Sequence, residues 1–372
     1  MNDVKHKYEL LDGLRGVAAL CVVMFHIGEL VTPDTDHNPF RHTHLAVDFF
    51  FVLSGFVIAH AYGERMSLPR SASAFLSFKD FMVRRLIRLH PMLVVSMVVG
   101  LANYLLDPFV DPHGPKASAM LIAVVFLLGL FVLPEPVLPN RFSETHGLNA
   151  PAWSLFQEYV GSFVYGLIGY RLSNLVMGLF VLLSAVAVVA TSLHFNGLSE
   201  GWDWVKLWVA FVRLTYPFAA GILLYRLKFR IKLPGSTLLL PVILIAVFMA
   251  PPLKAFNGAF EAAVVVLIWP LVVIMGAGAL NPGGRLEGFN KWLGRISYPL
   301  YIIHYPFMYT FAHWKWGRNP STQLTIFVEV ALYLGLIAFA WIWLKYYDEP
   351  IRSRLTRWLQ PAPRKTQSVG QA

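Results

Sequence analysis

Apolar and polar positions separate along this chain into long blocks. Apolar runs fall at about 14–31, 45–62, 91–106, 117–133, 153–170, 172–193, 205–225, 236–250, 259–280, 297–312 and 322–344. Several approach the roughly 20 residues that an α-helix needs to cross a bilayer core. The pattern predicts an all-α fold, a polytopic bundle of membrane helices. Composition agrees, because 56% of the 372 residues are hydrophobic and only 14% are charged. A soluble domain carries about 25% charged residues, so this chain has too few to clothe a water-facing surface.

Charge then threads the bundle. The net charge of +10 could suit nucleic acid, but the basic residues lie in short loops between apolar runs, where they orient a membrane protein. Basic loops follow the second run (Arg65 to Arg88), the seventh (Arg226 to Lys232) and the ninth (Arg285 to Arg295), and each is expected inside. Five runs separate the first two of these loops, and an odd number of crossings would put them on opposite sides. The run 117–133, short and followed by Pro134, Pro136 and Pro139, is therefore expected to be re-entrant or interfacial. About ten crossings remain, with both termini cytoplasmic. Residues 1–358 read as one membrane domain and 359–372 as a disordered cytoplasmic tail. Lys5 and Lys7 before an apolar core imitate a signal peptide, but no small-residue cleavage site follows, so a retained first helix is expected. Cys21, the single cysteine, can form no intrachain disulfide.

A few polar residues interrupt the runs. Arg15 and His26 lie eleven residues apart in LDGLRGVAALCVVMFHI, which is about three turns on one helix face and roughly 16 Å along the axis. Ionisable groups at membrane depth are expensive and face a bundle interior or a wet cavity. Asp48 and Glu158, each near the outer end of its run, are placed by the same threading at the depth of His26. An imidazole with carboxylates is the chemistry of a base and its orienting partner. Glu29, one turn beyond His26, competes for that role. The plainer alternative is a packing histidine and a helix-capping Asp48. Arg85 and Arg88 in FMVRRLIRLHPM set two guanidiniums one turn apart, an arrangement suited to phosphate; membrane anchoring is the plainer reading. His304 in SYPLYIIHYP has a structural alternative of its own. Ser54-Gly55 invites comparison with a protease nucleophile, but small residues here fit close helix approach better. No metal-ligand spacing, phosphate-cradling loop or nucleic-acid motif appears.

These segments, taken in order, resemble the membrane acyltransferase 3 family. The resemblance rests on Arg15 and His26 in the opening helix, VDFFFVLSGFVI, Arg85-Leu86-Ile87-Arg88, Trp153-Ser154-Leu155 with Glu158, SYPLYIIH, and Asp348-Glu349-Pro350-Ile351-Arg352. It covers most of the chain and implies O-acylation of a carbohydrate or related acceptor, with acyl-CoA (acetyl-CoA first) as a donor taken from the cytoplasm and no permanently bound cofactor. It is similar to the members expected to stand alone, without a fused SGNH hydrolase-like domain. Under this reading His26 is the base or acyl carrier, with Asp48 or Glu158 orienting it. Arg15, Arg85 and Arg88 hold the donor, and His304, Ser54, Trp153, Glu349 and Arg352 are further candidates. The expected partners are acyl-CoA, a carbohydrate or glycolipid acceptor and the lipid bilayer, with a homo-oligomer left open and nucleic acid excluded. The expected place is a bacterial inner membrane. The competing class is a transporter that uses the same buried charges as a substrate path.

Overall fold

A computed structural model describes residues 8–31, 37–280 and 283–359. Lys5, Lys7 and the expected tail beyond Leu359 lie outside the described residues. The described chain is built from twelve helices: α1 (Glu9–Val31), α2 (Thr43–Ser67), α3 (Phe78–Leu106), α4 (Ala119–Leu130), α5 (Ala152–Leu167), α6 (Asn174–Phe195), α7 (Leu207–Arg226), α8 (Ser236–Phe248), α9 (Lys254–Gly278), α10 (Gly284–Ile303), α11 (Tyr305–Arg318) and α12 (Thr322–Leu359). No strand occurs among the described residues, and a single isolated bridge joins Glu144 to Asp203. It is an all-α polytopic membrane bundle.

Seven helices, α1, α2, α3, α6, α7, α9 and α12, are long and apolar enough to cross a membrane. The remaining expected crossings rest on shorter or broken pieces: α5, the 13-residue α8, and the pair α10–α11. α4 has 12 residues, a length of about 18 Å against a hydrocarbon core of about 30 Å. By helix alone α4 falls short of the core, and α8 is only one residue longer. Serines start many of these elements: Ser77, Ser118, Ser173 and Ser321 each accept a backbone N–H from the first turn of α3, α4, α6 and α12, satisfying donors that no helical carbonyl can reach. Single π-helical turns interrupt α2 at 59–63, α9 at 264–268 and α12 at 344–348.

Two helix pairs position the site. α1 and α10 run parallel, and a Cβ added at Gly16 would lie 2.5 Å from the Leu293 carbonyl oxygen. In the second pair, α2 and α7, a methyl on Gly55 would collide with the carbonyl of Phe218, and one on Gly221 with that of Val52. Ser54-Gly55 is thus the close-approach site that small residues create between membrane helices.

Candidate active site

The polar centre begins with a broken helix. The apolar run 297–312 is two helices, because Pro306 has no N–H to give the Ile302 carbonyl four residues back. Other groups meet the freed carbonyls. The Asn149 side-chain amide donates to Ile302 O at 2.7 Å and to Ser96 Oγ at 3.1 Å. His304, at the break, turns Nδ1 onto the carbonyls of Tyr301 (2.8 Å) and Leu300 (3.2 Å). Irregular backbone at membrane depth persists where protein or a wet cavity surrounds it. The break points the buried His304 ring at α1.

There it stacks on His26, with centroids 5.4 Å apart and planes at 25°. Tyr305 meets His26 edge-on at 4.9 Å. His26 Nδ1 lies 3.1 Å from Glu29 Oε2, across one turn of α1. The His26 side chain is 20% exposed and Glu29 41%. An Nδ1–H held by the carboxylate leaves the Nε2 lone pair as the base. His304 is fixed in the same way, Nδ1–H to carbonyl, and its Nε2 is buried without a hydrogen-bond partner.

Asp48 and Glu158 are engaged elsewhere, so neither orients His26 as expected. Asp48 is fully buried and takes Arg213 of α7 in a fork, Nη2 to Oδ2 at 2.6 Å and Nε to Oδ1 at 3.3 Å. Arg213 also donates to the carbonyls of His44 and Glu200, and its guanidinium lies 5.3 Å from the Trp153 ring centre. Glu158 accepts from Arg85 Nη2, and from Ser54 Oγ at 3.0 Å. Glu158 therefore sits among the arginines and not at the depth of His26. The physical reason is shared: a carboxylate removed from water needs a cation or donors, and in each case an arginine is nearest. Ser54 is a donor to that carboxylate.

The arginines converge between the start of α1 and the middle of α10. Arg15 donates to Ser297 Oγ and Gly294 O, each at 2.8 Å, and pairs with Asp12 at 3.3 Å. Arg85 is buried, held by Glu158 and by Ser162 Oγ at 3.2 Å. Arg88 differs from both. Its side chain is exposed, it feels the charges of Arg15, Arg85 and Asp12, and among the described residues it has no hydrogen bond or ion pair. It is an exposed, unpaired guanidinium. Glu349 and Arg352 close the same end: Arg295 grips both Glu349 oxygens at 2.8 and 2.7 Å, and Arg352 pairs with Asp348 at 3.1 Å.

A polar stripe on α10 links the two ends. Tyr298, Tyr301 and His304 recur every third residue and so share a face. Tyr298 donates to Leu89 O, and Tyr301 bonds Ser154 Oγ at 2.7 Å.

Beyond His26, the loop between α4 and α5 covers the bundle. Tyr309 donates to Glu144 Oε1 at 2.9 Å, and the Arg141 guanidinium lies 3.8 Å from the Tyr309 ring centre. Burial pushes the Glu144 carboxyl up to about 7, against the opposing pull of Tyr309 and Arg141. Glu135, whose buried oxygens lack partners, is pushed up to about 8, chiefly by burial. Asn149, Arg213 and this loop were missed by reading the sequence. Arg213 carried a signal, since a cation inside the run 205–225 needs a carboxylate.

Comparison with known proteins agrees with the geometry. Residues 8–345 match the family model of the acyltransferase 3 proteins, described as an acyltransferase domain. The chain belongs to this family. It is therefore a membrane acyltransferase. It is similar to protein 2 of the picA locus of Rhizobium radiobacter, 32% identical over 202 residues, which is 51% of this chain and 96% of that protein. A shorter stretch is 34% identical over 97 residues to a protein named as an O-acetyltransferase in Staphylococcus aureus (strain COL), 26% of this chain and 14% of that one. Another is 36% identical over 96 residues to a protein named as a peptidoglycan O-acetyltransferase in Bacillus subtilis, 24% of this chain and 13% of that one. The chain thus spans only a small part of these two longer relatives. No solved structure matches.

Proposed function

We propose that this acyltransferase moves an acyl group, acetyl in the first instance, from cytoplasmic acyl-CoA to a hydroxyl of an envelope or secreted carbohydrate or glycolipid. The arginine end then faces the cytoplasm, with both termini, in a bacterial inner membrane. One observation carries the reading: Arg15 and the unpaired Arg88 sit at one end of a polar stripe that ends at a Glu29-held His26. CoA carries a 3′-phosphate and a pyrophosphate, which match planar guanidinium forks. Its extended arm is suited to the roughly 16 Å between Arg15 and His26 on one helix.

A sugar hydroxyl is far too weak an acid to ionise near neutrality, so attack needs a base. His26 Nε2 takes the hydroxyl proton as the oxygen attacks the thioester carbonyl, and Glu29 stabilises the imidazolium. The C–S bond then breaks, and the departing thiolate takes the proton back from Nε2. His304, stacked on the ring, fixes its plane. The similarity to proteins named as O-acetyltransferases, one of them of peptidoglycan, supports acetyl as the group and a carbohydrate hydroxyl as the acceptor.

The test is purified protein in liposomes with radiolabelled acetyl-CoA. Label should be transferred or slowly hydrolysed, and His26→Ala should lose both while still binding acetyl-CoA. Label that is neither transferred nor hydrolysed by the wild type would favour a transporter.

A further inference from the structure

The loop between α4 and α5 is held more firmly than a connector requires. Val132, Asn140 and Ser143 adopt positive φ of 58°, 58° and 63°, a region costly for residues with a side chain and retained where surroundings enforce it. The surroundings here are explicit. Arg141 donates to Gly147 O at 3.0 Å and lies between the rings of Tyr104 and Tyr309. Glu144 accepts from the backbone N–H of Phe142 at 3.1 Å. The outcome of this scaffolding is to present one apolar ring to solvent: Phe142 is 39% exposed. Beside it, at 5.8 Å and 73°, stands Trp316, 53% exposed and pinned through Nε1 to the Leu30 carbonyl at 3.1 Å. Leu30 is one turn beyond His26. A relay of ring contacts runs inward from this corner, from Phe142 to Tyr309 (6.1 Å), to Tyr305 (5.0 Å) and to His26 (4.9 Å).

We infer that the Phe142–Trp316 corner is the acceptor subsite, a platform for the apolar face of a sugar ring at the lip of the His26 pocket. The inference rests on the acyl-transfer reading above and deepens it. A pyranose has a C–H face and a rim of hydroxyls. Two rigid rings match the face, and the half-exposed Glu29 supplies an acceptor for the rim. Donor and acceptor then approach His26 from opposite sides, the donor past Arg88 and the acceptor past Trp316. Exposed aromatics also anchor membrane proteins at the interface, and the experiment separates the two roles.

Radiolabelled acetyl-CoA is supplied with an oligosaccharide fraction released from the producing cell's own envelope polysaccharide. Phe142→Ala and Trp316→Ala should each raise KM for the oligosaccharide on the order of tenfold, the cost of losing one good ring contact, with KM for acetyl-CoA unchanged. Trp316→Phe keeps a ring but loses the Leu30 bond, and its KM should stay near the wild type. If Trp316→Ala does not insert, Phe142→Ala, whose ring is exposed, decides. An unchanged oligosaccharide KM, or a rise in both KM values together, would overturn the subsite while leaving the acyltransferase reading intact. A wild type that hydrolyses acetyl-CoA but transfers to no oligosaccharide would remove the carbohydrate acceptor itself.

Discussion

Two of the histidine–carboxylate groups among the described residues, those at Glu261 and at Glu29, differ in how completely the carboxylate is satisfied. Glu261 of α9 is 2% exposed and takes four donors: His42 Nδ1 (3.0 Å), His44 Nε2 (3.0 Å), the Leu198 N–H (2.6 Å) and the Asn257 amide (2.9 Å). Glu29 takes His26 and remains largely open. The Glu261 carboxylate is saturated and ties three stretches of chain together. The second leaves an imidazole face and a carboxylate edge for something that arrives from outside. Buried polar groups that are fully paired hold a fold, whereas reachable and half-paired ones are available for chemistry. Asp48–Arg213 belongs with the first kind and His26–Glu29 with the second.

Mutation should separate the kinds. His26→Ala should lower turnover by about 10³-fold, within the range a general base supplies, with thermal unfolding close to wild type. Turnover within a few fold of wild type would move the chemistry elsewhere. Glu261→Gln should do the reverse. Removing the charge from a buried, multiply paired carboxylate costs about 3 kcal/mol, seen as a lower Tm, while the kcat of the folded fraction holds.

The two arginines of the Arg-x-x-Arg motif allow a similar contrast at smaller scale. Arg88→Lys keeps the charge but loses the planar fork, so KM for acetyl-CoA should rise about tenfold with kcat little changed. Arg85→Lys disturbs Glu158 and Ser162, so it should lower Tm more than it raises KM. Equal effects from the two would show that the motif acts as a unit.

The smallest effect is on pH. The carboxyls of Glu144 and Glu135 are raised in the folded state to about 7 and about 8. The folded protein then holds more protons than the unfolded chain between about pH 4.5 and 8, so stability falls as pH rises through that window. Glu135→Gln, which needs no proton to stay neutral, should flatten the upper part of the fall, measured as Tm from pH 5 to 8.

The sequence carried the helices better than their pairings. Run length and the prolines after 133 marked α4 as a short helix, and Ser54-Gly55 announced a close contact. The break at His304 was missed because 297–312 reads as one run by hydropathy, although Pro306 carried its signal. Partner choice was hidden for a physical reason. Asp48 and Arg213 are 165 residues apart, Glu158 and Arg85 73, and Arg15 and Ser297 282. Threading gives each residue a depth but no azimuth around the bundle, and depth alone cannot pair charges. The loop from 131 to 151 was hidden too, because its order comes from positive-φ residues other than glycine and from buried side-chain bonds that follow no period. Glu29 was legible as a competitor because it lies one turn from His26 on the same helix, the only range at which spacing fixes contact.

The most direct test of the central claim, that Glu29 orients His26, is kcat for three single variants: Glu29→Gln, Asp48→Asn and Glu158→Gln. Each is measured at saturating acetyl-CoA and normalised to folded protein. Glu29→Gln should lower kcat at least about 10-fold, as the loss of an outer partner does even for a metal-bound histidine, with Tm unchanged. The other two should lower Tm and leave the kcat of the folded fraction near wild type. A normal kcat for Glu29→Gln, with a collapse confined to Asp48→Asn or Glu158→Gln at unchanged Tm, would contradict it.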